Sequence, residues 1–332
     1  MILNTLKKLP KKSYYSLIIF LSLFILSLFA ELIAGEKPLI VSYKNNFYFP
    51  IFSSYPETTF NGEFETETNY RDPYVKSLIG ANGWMIFPLI PFSYNTINYD
   101  INSPAPSKPS KENWLGTDDN GRDALARIIY GIRISLIFGL TLTIISSVIG
   151  ILLGAIQGYF GGLLDLLFQR FMEIWSGLPI LFLLIILSSI IEPGFWILLF
   201  IMLLFSWMSL VGMVRAEFLK LRNYDFVKAA KSLGASDKRI IFSHILPNAL
   251  TSSLASLPFL LIHSILTLVS LDFLGLGLPI DSPSLGEILA QGKNNITAYH
   301  LGFSGFFIIT LISTLLVFIG EGLRDVLDVR RS

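Results

Sequence analysis

The chain alternates long uncharged apolar runs with short polar connectors. Five stretches, 134–164, 174–191, 193–214, 240–271 and 294–320, carry no Asp, Glu, Lys or Arg, and a sixth, 13–30, continues apolar past Glu31 to Ala34. A helix that crosses a bilayer needs about 20 apolar residues, since each residue rises ~1.5 Å through a hydrocarbon core ~30 Å thick. The pattern predicts six spans, at about 14–34, 134–157, 172–191, 195–214, 249–270 and 302–320. Glu192-Pro193-Gly194 separates the third from the fourth as a tight turn at the membrane surface. Lys7, Lys8, Lys11 and Lys12 precede the first span as they would in a signal peptide. The apolar run exceeds the usual h-region of ~7–15 residues, however, and Leu32 occupies a cleavage position that calls for a small residue, so the span reads as an uncleaved anchor.

Basic connectors set the orientation. The N-terminal lysines, the loop 215–247 (Arg215, Lys220, Arg222, Lys228, Lys231, Lys238 and Arg239 against Glu217, Asp225 and Asp237) and the tail (Arg324, Arg330, Arg331) fall on one side with six spans. That side is expected to be cytoplasmic, with both termini on it. Arg122, Arg127 and Arg133 oppose this arrangement, because parity puts them outside, and Asp118, Asp119 and Asp123 offset them in part.

Residues 36–113 differ in kind. They hold more than half of the prolines, both signs of charge and many aromatics, among them Phe47, Phe49, Tyr55, Tyr70 and Trp84. Proline density argues against long helices and aromatic content against disorder. The expectation is a small, mostly irregular extracytoplasmic insert with short strands, too small for a core of its own, ending in the linker Ser103–Pro109. The organisation is therefore 1–35, a cytoplasmic N-terminus and first span; 36–113, the insert; and 114–332, a helical core with the loop 215–247. After the linker, Leu125, Ile128, Ile129 and Ile132 fall on one helical face. Asp118 or Asp119 is positioned to cap that helix, which either lies in the membrane interface with its arginines outward or is simply an elbow leading into the second span.

Of the 332 residues, 52% are hydrophobic and 15% charged. Ordinary soluble domains carry about 25% charged residues, so a soluble enzyme is excluded. The net charge of +1 offers no basic excess for nucleic acid. With no Cys and three His (His244, His263, His300), thiolate, disulfide and His-rich metal chemistry are excluded or hard to build. No nucleophile elbow or metal-ligand pair is present. The run from Gly286 to Asn294 misses the phosphate-loop spacing, and Gly275-Leu276-Gly277 lacks the third glycine of a dinucleotide loop. No catalytic residue, cofactor or metal is expected.

Charge inside the spans is nearly absent, whereas ion-coupled carriers and proton pumps need intramembrane acids or bases. His263, near the middle of the fifth span, reads as a neutral histidine bonded to a neighbouring helix. Gly150, Gly154 and Gly158 form an i, i+4, i+8 face that lets another helix approach closely. Free energy for transport would then enter elsewhere, and the loop 225–247 is the place. Phe226, Ala229, Ala230 and Leu233 make an apolar stripe on a short helix; Gly234 breaks it; a second helix follows and stops at Pro247. Such a knob suits docking into a groove on a partner.

The spacing of Ala229-Ala230, Gly234 and Leu246-Pro247 resembles the coupling-loop signature of ABC importer permeases, although Lys228 replaces the usual Glu and His244 stands where an aliphatic residue is common. Trp114-Leu115-Gly116-Thr117-Asp118-Asp119 with Gly121-Arg122-Asp123, Gly158-Tyr159-Phe160-Gly161-Gly162, Gly234-Ala235-Ser236 and Phe273-Leu274-Gly275-Leu276-Gly277 are similar to the C-type permease subunit of the oligopeptide/dipeptide branch. The insert, with Tyr70-Arg71-Asp72-Pro73-Tyr74 and Ser93-Tyr94-Asn95-Thr96, looks most like the microcin C-type peptide permease. The resemblance implies an all-α polytopic membrane protein of type I ABC importer permease fold in a bacterial inner membrane, among membrane lipid. It also implies a second homologous permease subunit, cytoplasmic ATP-binding subunits and an extracytoplasmic solute-binding protein as partners, with no nucleic acid. Ala229, Ala230, Gly234, Asp237, Arg239 and Pro247 are the expected ATPase-coupling residues. Ala229 and Ala230 would supply close approach, Gly234 the break, Pro247 the stop, and Asp237 and Arg239 polar contacts. The competing classes are an ion-coupled secondary transporter and a membrane-embedded enzyme acting on lipid or cell-wall precursors.

Overall fold

The computed structural model describes residues 9–328 except 102, 192–193 and 280. Lys7, Lys8, the Glu192-Pro193 turn, Arg330 and Arg331 lie outside the described residues. In chain order the elements are α1 (Lys11–Leu28), α2 (Ala30–Ile33), β1 (Ile40–Tyr43), β2 (Asn46–Tyr48), a 3-10 turn (Glu57–Phe60), α3 (Pro73–Asn82), β3 (Gly83–Ile86), α4 (Ala124–Phe160), α5 (Gly162–Ser176), α6 (Ile180–Ser188), α7 (Phe195–Ser206), α8 (Met208–Leu221), α9 (Asp225–Ser232), α10 (Asp237–Arg239), a π-helical turn (Ile240–Ile245), α11 (Leu246–Phe273), α12 (Leu285–Asn294) and α13 (Tyr299–Asp328). Five helical stretches are long and apolar enough to cross a membrane, and α5 with α6 makes a sixth as a pair bent by 58°. The third predicted span is thus broken: Gly177-Leu178-Pro179 interrupts it, because Pro179 has no amide to continue the ladder.

Two compact units divide the chain, one of residues 1–21, 136–279 and 310–332, the other of 22–135 and 280–309. In the first unit, the glycine face of α4 lies hard against α8 and Trp207 just before it. A Cβ added at Gly150 would sit 2.5 Å from the Trp207 carbonyl oxygen; one at Gly154, 2.8 Å from that of Val211; and one at Gly158, 2.5 Å from Phe218 Cβ. No side chain fits there, so these glycines permit a close approach of backbones that depends on dispersion rather than on water release. A core of Phe138, Leu142, Leu184, Leu198, Met202 and Leu268 joins α4, α6, α7 and α11. The start of α1 packs on α13, with Lys12 Nζ 3.3 Å from the centre of the Phe318 ring and Ser13 filling the space a side chain at Gly322 would need.

Where α11 ends, Gly275 takes φ +73°. The Leu276 amide donates to the Leu271 carbonyl at 2.9 Å and the Gly275 amide to that of Asp272 at 3.0 Å. This is a Schellman cap, which needs glycine at the left-handed position. A Cβ at Gly277 would overlap the Asp272 carboxylate, whose Oδ1 accepts from the Leu278 amide at 2.8 Å. Both glycines of Phe273-Leu274-Gly275-Leu276-Gly277 therefore end a helix. His263 departs from the sequence expectation: it lies on an exposed face of α11, and among the described residues its side chain makes no hydrogen bond to a neighbouring helix.

In the second unit the insert has its own core, contrary to the expectation from its size. β1 pairs antiparallel with β2 and β3, giving the order β2-β1-β3. Val41 and Tyr43 alternate inward and meet Phe60, Tyr70, Val75 and Ile79, with Phe60 edge-to-face against Tyr43 at 5.5 Å. Four aromatics around one ring bury enough surface to hold so small a body. Asp72 caps α3 by accepting from the Tyr74 amide at 2.7 Å. A further cluster joins Ala30, Ala34, Ile90 and Phe92 to Ala126 and Tyr130, and the Tyr130 hydroxyl donates to the Ala34 carbonyl at 2.9 Å.

Candidate functional site

Residues 225–247 fold as a short helix, a turn and a second helix. α9 ends in the same device as α11: Gly234 has φ +80°, its amide donates to the Lys231 carbonyl, and the Ala235 amide donates to that of Ala230, both at 3.0 Å. Ala230 and Ala235, the two residues that such a cap brings together, lie against a core of Val227, Phe218, Ile240, Ile241 and Ile245. The other face is bare. Phe226 is 41% exposed and Leu233 88%, and Ala229, Asp237, Arg239 and Pro247 are also exposed, whereas Ala230 is half-buried. The predicted stripe therefore faces outward for the most part, and Val227 buries in its place.

Pro247 does not stop the second helix. The helical path runs from Asp237 to Phe273, and the Leu246 amide reaches back to the Ile241 carbonyl through a π turn. The wider turn gives the proline ring room near the carbonyl four residues earlier, so the path continues past it. Asp237 is tied internally: the Tyr159 hydroxyl donates to its Oδ1 at 2.5 Å. Lys228, in place of a glutamate, pairs with Asp225 of its own helix at 3.3 Å in full view of solvent.

The residues that seat this segment were not singled out from the sequence. Arg222 Nη1 donates to the carbonyls of Gly158 at 3.2 Å and Tyr159 at 3.1 Å. A Cβ at Gly161, where φ is +65°, would come within 2.5 Å of that nitrogen. Arg215 grips Asp165 with two bonds, at 2.5 and 2.6 Å. The signal lay in Gly158-Tyr159-Phe160-Gly161-Gly162, whose glycines and carbonyls make the socket for Arg222.

A second polar assembly occupies the other unit. Asp118 is fully buried and accepts from the Arg122 amide at 2.8 Å and Nε at 2.7 Å. Arg127, also fully buried, donates from Nη2 to Glu287 at 2.6 Å and to the Ser282 carbonyl at 3.0 Å, and its Nε lies 3.4 Å from Asp118. Gln291 donates to the other Glu287 oxygen at 3.0 Å. Burial pushes the Glu287 carboxyl up to about 6, with Arg127 and Arg122 offsetting part of the rise. Two expectations are corrected. The cap of α4 is Asp123, which accepts from the Ala126 amide at 2.7 Å. The arginines do not point outward from a surface helix; Arg122 and Arg127 turn inward to carboxylates, and Arg133 holds Glu31 at 2.8 Å.

Residues 146–332 match the family model described as the binding-protein-dependent transport system inner membrane component. The chain is 54% identical over 322 residues to the inner membrane ABC transporter permease protein YejE of Escherichia coli K12, covering 97% of this chain and 94% of that protein. It is 50% identical over 349 residues to the peptidoglycan transport system permease protein YejE of Agrobacterium fabrum, covering 98% and 91%. It is 35% identical over 240 residues to the oligopeptide transport system permease protein OppC of Bacillus subtilis, covering 71% and 77%. A solved structure of the MetNI methionine ABC transporter in inward-facing conformations shares the fold, with a TM-score of 0.51 at 18% identity over 60% of this chain and 96% of that one. The bent third span, the glycine-packed α4 and the capped knob after α8 thus sit in a type I importer fold, and the chain belongs to the binding-protein-dependent transport system inner membrane components, as a non-enzymatic permease subunit of an ABC transporter.

Proposed function

We propose that the chain passes peptides or peptide-like compounds across a bacterial inner membrane, with 225–247 seated in a cytoplasmic ATP-binding subunit that supplies the work. The observation that carries this reading is the outward face of α9 and its cap. An exposed Phe226 and Leu233 on a segment pinned at Tyr159–Asp237 and Arg222 form a rigid projection with an apolar tip. Rigidity matters, because a lever transmits displacement only if it does not bend at its root. The exposure of Ala229, Gly234, Arg239 and Pro247 supports a role in meeting the partner, whereas the bond from Tyr159 gives Asp237 a role in holding the segment in shape.

Peptides as the substrate class follow from relatives whose names specify oligopeptide, dipeptide and peptidoglycan transport. Microcin C-like peptides belong to the same chemical class. The remaining parts of the reading are a second permease subunit beside this one, a solute-binding protein on the side of the insert, and both termini in the cytoplasm.

The chain has no cysteine, so single cysteines report cleanly. Leu233→Cys should crosslink to the ATP-binding subunit in assembled transporter and resist impermeant maleimide applied to intact spheroplasts, whereas Asn61→Cys should label from outside. External labelling of Leu233→Cys, or no crosslink in a complex that hydrolyses ATP, sinks the reading.

A further inference from the structure

The insert contains a cavity of about 500 Å³ that the transport reading leaves without a task. Phe87, Pro88, Leu89, Pro91, Phe92 and Trp114 form its apolar wall, and Arg71, Lys76, Lys111, Asp100 and Glu112 its polar rim. A cavity of this size with an apolar wall and a few polar groups has the anatomy of a small-ligand site. A second cavity of about 270 Å³ shares Asp100, Lys111 and Glu112 and adds the amides and hydroxyls of Asn98, Asn113, Ser107 and Ser110.

Arg71 decides what would fit. Its guanidinium stacks on the Phe92 ring at 4.2 Å, and Nη1 donates to the Pro91 carbonyl at 3.1 Å. Burial lowers its pKa from the ordinary value, while Glu36, Asp100 and Glu112 act the other way. Among the described residues no carboxylate comes within ion-pair distance of it, nor of Lys76 or Lys111, although Lys37, Arg122, Arg127, Arg133, Arg170, Arg215 and Lys228 each have one. A half-buried arginine fixed by stacking, with donors left over, is suited to an incoming carboxylate. Trp114 is half exposed beside it and offers a flat apolar face. Trp114 opens the Trp114–Asp119 motif, yet the ion cluster uses the motif's aspartate and not its tryptophan.

We propose that this cavity is a ligand site on the insert that takes a short peptide by a free carboxylate at Arg71 and an apolar side chain against Trp114 and Phe92. The proposal rests on the peptide-import reading and adds a place where substrate touches the permease before it enters the membrane. A 322-residue alignment covering 97% of this chain cannot leave the insert out, and neither can the one to the protein named for peptidoglycan transport. The ligand chemistry therefore has two sources, a free peptide or a peptide attached to amino sugars.

The test is equilibrium binding to the full-length transporter in nanodiscs, without binding protein, of three probes: the tripeptide Ala-Phe-Ala, its C-terminal amide, and a disaccharide-tetrapeptide from peptidoglycan. The acid should bind at least tenfold more tightly than the amide, since losing one charge-assisted pair costs on the order of a tenfold change. Arg71→Gln should erase that preference, Arg71→Lys should restore part of it, and Lys111→Gln, at the exposed rim, should weaken all probes by less. Tighter binding of the disaccharide-tetrapeptide than of the tripeptide assigns the site to peptidoglycan fragments; the reverse assigns it to free peptides. Equal binding of acid and amide, or an Arg71→Gln transporter that retains the preference, overturns the proposal. Peptide uptake by cells carrying Arg71→Gln separates the two claims. Uptake that persists without cavity binding leaves the import reading standing, and absence of peptide uptake by the wild-type transporter removes that reading instead.

Discussion

Arg127 and Arg239 show two uses of the same side chain. Arg127 is sealed from solvent and answered by Glu287, Asp118 and two backbone carbonyls. Arg239 stands exposed on a segment whose apolar tip, Leu233, is also exposed. The cluster at 118–127 and 281–291 turns its polar groups on one another and holds one unit in a single arrangement. The segment 225–247 packs one face on a core of Val227, Phe218, Ile240, Ile241 and Ile245 and leaves the other face open. Buried charge specifies shape at high cost if any member is lost, and exposed charge with exposed apolar surface waits for a partner. Substitutions should therefore fail differently in the two places: in the first through stability, in the second through assembly with the fold intact.

The largest effect is expected at Arg127. Replacing it with Met takes from Glu287 its 2.6 Å partner and leaves Arg122 as the cation shared by Asp118 and Glu287, which costs about 3 kcal/mol. Thermal midpoints of purified transporter, followed by loss of monodisperse protein on size exclusion, should fall sharply for Arg127→Met. Exchanging Arg239 for Met should leave them within the range of ordinary surface changes, about 0.5 kcal/mol. Equal midpoints for the two variants would remove the distinction between the regions.

The same cluster should respond to pH. The Glu287 carboxyl sits near 6 in the folded chain against an ordinary 4.5. A raised carboxyl means that the folded state holds its proton more tightly, so this contribution is fully present below about pH 4.5 and is lost as pH rises through 6. The difference is about 2 kcal/mol. Burial also pushes Asp119 and Asp123 up, so they act in the same direction. Measured as the gap in unfolding midpoint between wild type and Glu287→Gln, the effect should move in favour of wild type on going from pH 7 to pH 4.5. A gap that stays constant would show that the arginines cancel the effect of burial at Glu287.

How much of this could be read in advance depended on whether the cause was local. The five long apolar helices and the bent α5–α6 pair follow from the spacing of charges, because the cost of charge in hydrocarbon acts residue by residue. The break at Gly177-Leu178-Pro179 escaped, since averaged hydropathy does not register a missing amide. Gly234 was legible because a left-handed residue after a helix is a local requirement. Pro247 was misread because a π turn ahead of it relieves the clash that ordinarily ends a helix. The ion cluster was out of reach: Arg127 and Glu287 are far apart in sequence, and nothing local marks them as partners. The insert's core was missed because aromatics from a sheet, a turn and a helix converge without a period. Family membership then removed the ion-coupled carrier and the lipid or cell-wall enzyme, which the scarcity of intramembrane charge had only disfavoured.

The smallest effect sharpens the comparison most. Gly234 and Gly158 are both glycines beside helix ends, but a Cβ at Gly158 would collide with Phe218 and the Arg215 backbone, whereas one at Gly234 meets nothing within 4 Å. At Gly234 the constraint is the backbone angle of +80° alone. An L-residue there costs about 1–2 kcal/mol whatever its size, so Gly234→Ala and Gly234→Leu should behave alike, and Gly234→Asn, which tolerates the left-handed region, should be milder. With the fold intact, about 1 kcal/mol shifts the ratio of capped to uncapped knob roughly fivefold. Substrate-stimulated ATP hydrolysis by assembled transporter should then fall by at most about fivefold, equally for Ala and Leu and less for Asn, while thermal midpoints barely change. A steep decline from Ala to Leu would mean that the surroundings of Gly234 are filled by the partner, so that size, not backbone angle, governs the joint.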